Sequence, residues 1–133
     1  IRGFSRGVNA SMRTVTVARM RRDALIASME GFLANWDALL CPVAAMPAPP
    51  HLPKGSPIDI DGQQVSFQTA GLSFLMPFSL TGQPVVVIPF TQSPRGLPIG
   101  LQIVGRRWGE MSLLQIARQL EVIVGPFRRP PGF

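Results

Sequence analysis

Apolar residues recur at steps of three and four in two parts of this 133-residue chain, one near its start and one near its end. Val8, Met12, Val15, Ala18, Arg22, Leu25 or Ile26, Met29, Phe32 or Leu33, and Trp36 form the first stripe. That spacing predicts an amphipathic helix, interrupted only by Arg22. Gly31 weakens its last turn by about 1 kcal/mol relative to Ala, and Asn35 offers a cap region before Asp37. The second stripe runs from Glu110 or Met111 through Leu113, Ile116 or Ala117, Leu120, and Ile123 or Val124. Glu110 sits near the positive end of this helix, Arg118 lies towards its far half, and Gly125 and Pro126 stop it.

Between the stripes the period changes to two. Val85, Val86, Val87 and Ile88 make a continuous β-branched run with Gly82 and Pro84 before it and Pro89 ending it. Such a run suits a strand buried on both faces. Ile99, Leu101 and Ile103 alternate with Gly100, Gln102 and Val104, predicting a second strand with one strongly apolar face and a thinner face where Gly100 permits close approach. Ser93, Pro94, Arg95 and Gly96 supply the turn between them. Residues 38–43 are expected as another short strand, and six prolines between positions 42 and 57 predict an extended surface loop behind it. Residues 58–65 are expected as a small hairpin turning at Asp61 and Gly62.

Residues 67–78 carry no charge, yet include Phe67, Phe74, Leu75, Met76 and Phe78 around Gly71. They predict a buried helix leading into the turn Pro77, Phe78, Ser79, Leu80, Thr81, Gly82. One expectation is pure core; the other is a cavity lining, with Phe67, Phe74, Met76 and Phe78 as substrate-binding candidates.

The order of these segments resembles the carboxyl-terminal part of the amidase signature family. Pro77, Phe78, Ser79, Leu80, Thr81, Gly82, Gln83 and Pro84 before the β-branched run are similar to that family's F-N-L-T-G-Q-P element. Gly96, Leu97, Pro98, Ile99, Gly100, Leu101, Gln102, Ile103, Val104, Gly105 and Arg106 look like its G-L-P-x-G-L-Q-x-x-G-R element. Asp37, Ala38, Leu39, Leu40, Cys41 and Pro42 resemble the D-x-L-L-T-P element, and the tail Phe127, Arg128, Arg129, Pro130, Pro131 resembles the family's R-P-P endings. Ser79 stands where Asn is usual and Cys41 where Thr is usual. The resemblance implies a mixed α/β fold, a few strands of a larger sheet flanked by helices, with residues 1–133 forming the carboxyl-terminal part of a single amidase domain. It also implies hydrolysis of a carboxamide through an acyl-enzyme, using two serines and a lysine from a Gly- and Ser-rich signature.

No block of this chain matches that signature. Lys54 is the only lysine and sits among Pro53, Gly55, Ser56 and Pro57 as a solvated loop residue. A Ser/Lys mechanism instead needs a lysine of depressed pKa held against the nucleophile. His51, the sole histidine, follows two prolines in the same loop, and Cys41 is expected to be a small buried thiol. One His, one Cys and scattered carboxylates give no metal spacing, so no metal or other cofactor is expected. No catalytic residue is therefore assigned here, and the chain alone is expected to be inactive.

Composition adds three constraints. Apolar residues make up 46%, high for this length, which suggests surfaces that meet further protein, namely the amino-terminal part of the same fold. No apolar run reaches the length of a membrane span, and one cysteine excludes an internal disulfide and fits a reducing cytoplasm. The first residue is Ile1, so the chain is not expected to begin at a translation start. Finally, Arg2, Arg6, Arg13, Arg19, Arg21 and Arg22 precede the first acid, Asp23, and alone supply a charge of +6.

Three functions fit these features. The preferred one is a free-standing amidase acting on neutral aryl or alkyl amides. Members of the family that feed ammonia to a misacylated transfer RNA typically place an acid in the segment corresponding to residues 65–79, and this chain has none there. The second is a glutamine amidotransferase component of that kind, working on misacylated transfer RNA. The third is a non-catalytic nucleic-acid-binding module using the basic first helix, against which stands the lack of interleaved aromatics. Nucleic acid is accordingly not the expected partner; a small-molecule amide is.

Overall fold

The structure is a computed structural model that describes residues 2–129, with the backbone alone for residues 2–4. Its order is α1 (Arg2–Val8), α2 (Met12–Leu33), β1 (Leu39–Pro42), β2 (Ile58–Ile60), β3 (Gln63–Val65), α3 (Phe67–Leu72), α4 (Met76–Thr81), β4 (Val85–Gln92), β5 (Pro98–Val104) and α5 (Glu110–Val124). Pro130 and Pro131 of the tail lie outside the described residues. The architecture is mixed α/β, as expected.

Three strands pair antiparallel in the order β1-β5-β4, so the alternating strand of the second motif is the central one. Its register sets Ile103 opposite Val86 and Leu40, and Gln102 opposite Val87 and Cys41. These pairings sort the side chains onto two faces. On one face Ile88 and Ile103 pack with Leu113 and Ala117 of α5, with Val86, Leu101, Ile116 and Leu120 around them. This is the main core, and α5 forms it because its stripe matches the expected helix at both ends. Gly105 lets α5 come close: a Cβ there would lie 3.1 Å from Leu113 Cδ1.

The turn between β4 and β5 forms where Ser93 and Gly96 predicted it. Ser93 Oγ accepts from the Leu97 N–H at 3.1 Å, and Gly96 takes φ +78°. The small hairpin β2-β3 also matches, with Asp61 at φ 51° and Gly62 at φ 82°, the paired left-handed turn that suits strand twist. Asp59 secures it by accepting from the Gly62 N–H at 3.0 Å and from Gln64 Nε2 at 2.8 Å.

Some expectations need correction. The first stripe is two helices: Ser11 caps α2 by accepting from the Thr14 N–H at 3.2 Å, and side-chain competition at residues 9–11 breaks the path. Arg22 belongs to the packing face after all, since its Nε donates to Leu80 O at 2.8 Å. Strand β4 does not stop at Pro89; it is an edge strand, which tolerates the missing N–H, and it passes the proline through an irregularity between Pro89 and Thr91. Nor is it buried on both faces, because Val85 and Val87 are 38% and 52% exposed.

Candidate functional site

A further correction concerns residues 67–78, which form two short helices instead of one buried helix. Ser66 starts α3 by accepting from the Thr69 N–H at 3.1 Å. Pro77 lies in the first turn of α4, where its missing N–H costs nothing. Gly82 ends α4 in the left-handed conformation, φ +78°, donating its N–H to Phe78 O at 2.7 Å. The two-helix form sets the break at Phe74 against Gln102 on the second face of the sheet and leaves Val85 and Val87 of that face exposed.

Its four candidate residues are placed differently. Phe78 is buried and Phe74 half-buried, whereas Phe67 and Met76 are 52% and 57% exposed. Phe67 lines a cleft of about 310 Å³ with Leu52, Lys54 and Ile58, against the proline loop and the small hairpin. The structure therefore does not gather all four around one cavity. A second cleft, about 260 Å³, lies between α2 and α4 and is walled by Leu25, Met29, Phe32, Leu39, Pro77 and Leu80. The contribution of α2 was legible only as a helix stripe, with no signal for what it faces. A further concavity, about 770 Å³, lies between the β4-β5 hairpin and residues 124–128.

Polar groups pin these helices. Gln102, 1% exposed, donates from Nε2 to Cys41 Sγ at 3.1 Å and to Phe74 O at 3.0 Å. Thr81 Oγ1 lies between two acceptors, Pro77 O at 2.7 Å and Gln83 Oε1. Gln83 Nε2 is buried without an acceptor among the described residues. Turning that amide over lets Nε2 donate to Thr81 Oγ1 while the hydroxyl donates to Pro77, which satisfies both donors. Arg106 holds the end of α2: Nε donates to Leu33 O at 3.0 Å, and a terminal nitrogen donates to Ala34 O at 3.3 Å and Trp36 O at 3.1 Å. Three carbonyls at and just past the helix end thus meet one guanidinium, Leu33 O accepting from the Trp36 N–H at 3.2 Å as well. Arg107 adds an ion pair with Glu30 at 3.4 Å.

Groups able to do acid, base or nucleophilic work do not converge. His51 and Lys54 are exposed in the proline loop, and Cys41 is half-buried with its sulfur accepting from Gln102. Among the described residues no three His, Cys, Asp or Glu side chains come together, and no helix is long and apolar enough to cross a membrane. What remains is an exposed apolar surface on two short helices, with Phe67 and Met76 among its side chains.

Comparison with known proteins gives a consistent picture. The family model described as Amidase matches residues 3–114. The chain is 39% identical over 95 residues to a 6-aminohexanoate-cyclic-dimer hydrolase of Paenarthrobacter ureafaciens, a match spanning 66% of the chain and 19% of that protein. It is 33% identical over 97 residues to a fatty acid amide hydrolase of Medicago truncatula, spanning 71% of the chain and 15% of that protein. A solved amidase structure superposes with a TM-score of 0.79 at 30% identity, over 90% of this chain and 27% of that one. The chain thus spans about a fifth of the curated relatives named here and about a quarter of the solved structure.

Proposed function

Because the chain belongs to the amidase family, we propose that the whole protein hydrolyses the C–N bond of a carboxamide, and that residues 1–133 form the carboxyl-terminal part of its single amidase domain. In this reading a serine oxygen supplied outside this chain bonds to the acyl carbon as the C–N bond breaks. A second serine and a lysine carry the proton to the departing nitrogen. Water then cleaves the ester to release the acid. None of these groups is assigned to a residue of this chain, whose share is the scaffold and an apolar wall for the acyl group.

The observation that carries the wall is the exposure of Phe67 and Met76 on a segment without charge. Large apolar side chains set on short, capped helices provide burial for an apolar ligand at little cost in ordering. A carboxylate or ammonium on the acyl group would find no counter-charge on residues 65–79. The two relatives named above are hydrolases of a 6-aminohexanoate cyclic dimer and of fatty acid amides, which agrees with such a wall.

The test is release of ammonia or amine by the full-length protein from aryl and alkyl amides, with glutamine alongside. Hydrolysis of the neutral amides with glutamine a poor substrate is the expected result. Turnover of glutamine alone, dependent on added partner proteins, would replace this reading by that of an amidotransferase.

A further inference from the structure

Gln102 poses a question of its own. It stands on the central strand, 1% exposed, among Cys41, Val87 and Val104, where an apolar side chain would fill the space without a desolvation cost. A buried amide at such a place gives direction rather than net stability, because its bonds form at one geometry only. Both Nε2 hydrogens are used, one on Cys41 Sγ and one on Phe74 O.

Phe74 lies in the break between α3 and α4, at residues 73–75. Among the described residues, three bonds from outside reach the backbone of this segment. Ala45 N–H donates to Ala70 O at 2.9 Å, Gln102 to Phe74 O at 3.0 Å, and Arg22 to Leu80 O at 2.8 Å. The first holds α3 and the third holds the end of α4. Gln102 holds the joint between them, and it does so from the most buried strand of the sheet. Phe67 lies on one side of that joint, and Met76 and Phe78 on the other.

We infer that Gln102 is a positioning residue for acyl selectivity: by fixing Phe74 O it sets the angle of α4 against α3, and with it the distance between Phe67 and Met76 across the wall. The inference rests on the reading of this segment as the acyl wall. Cys41 receives the second hydrogen but holds nothing in the wall, so its bond is dispensable for selectivity.

The experiment measures kcat and KM of the full-length protein over a series of linear amides from short to long acyl chains. Gln102→Met keeps the volume and removes the donor. It is expected to raise KM for long acyl amides roughly fivefold to tenfold, with kcat for a short amide within about twofold of wild type. Cys41→Ala is expected to leave the ratio of long to short unchanged. Gln102→Glu provides a second route should the methionine variant not fold. Burial keeps such a carboxyl protonated to higher pH than in water, and only the protonated form can donate to Phe74 O. Its selectivity relative to wild type is therefore expected to recover at low pH and to be lost as pH rises.

A ratio that Met76→Ala shifts but Gln102→Met does not, or a Gln102→Glu ratio flat with pH, overturns the positioning role and leaves the wall standing. A ratio unmoved by Met76→Ala removes the wall itself.

Discussion

The two faces of the three-stranded sheet differ in kind. Against α5 the contact is entirely apolar: Ile88, Ile103, Leu113 and Ala117 are buried, and no polar side chain joins their cluster. Against α2, α3 and α4 the buried apolar side chains Leu33, Ala70, Phe78 and Val104 are joined by donors at fixed points, Gln102 on Phe74 O, Arg22 on Leu80 O and Arg106 on the end of α2, while Phe67, Met76, Val85 and Val87 remain exposed. Apolar packing is insensitive to direction and serves stability; bonds to single carbonyls fix position. One face holds the chain together and the other holds a surface in place.

That contrast can be broken most severely on the α5 side. Leu113→Ala is expected to destabilise by about 2–5 kcal/mol, read as a lowered urea midpoint, since a 2% exposed side chain leaves a cavity behind. A loss under about 1 kcal/mol would mean that α5 is not the main core partner. Arg106→Met, on the other face, is expected to cost about 1–3 kcal/mol, because the Ala34 and Trp36 carbonyls lose the guanidinium and Leu33 O keeps only the Trp36 N–H. Hydrogen exchange should rise in the last turn of α2 and not in α5. Gly82→Ala forces a Cβ into φ +78° and is expected to cost about 1–2 kcal/mol in thermal unfolding. Phe67→Ala and Met76→Ala should change stability least, by under about 0.5 kcal/mol, since both side chains are more than half exposed. Their effect belongs to substrate affinity instead.

The α5 face was largely legible in the sequence because it rests on local period. The alternation through Ile99, Leu101 and Ile103, the stripe from Leu113 to Val124 and the Ser93 to Gly96 turn each specify their element within a few residues. The other face was not. Arg22 looked like a flaw in a stripe, and Arg106 like the end of a motif, because their acceptors lie 58 and about 70 residues away. The break at residues 73–75 did leave a signal: Pro77, which favours a first helical turn and so marks a new start. The run from Val85 to Ile88 has two apolar faces, and the described residues cover one of them. Sequence pattern tells which sides are apolar, but burial depends on what lies across the gap. The amidase resemblance was carried by the hairpin motifs, and the matched family model bears it out.

The wall is tested most directly by the ratio of KM values for a long and a short acyl amide in the full-length protein carrying Phe67→Ala and Met76→Ala together. A rise in that ratio of roughly tenfold or more, with kcat for the short amide within about twofold of wild type, is the expected result. An unchanged ratio in a folded, active variant would contradict it and leave this part of the chain as scaffold alone.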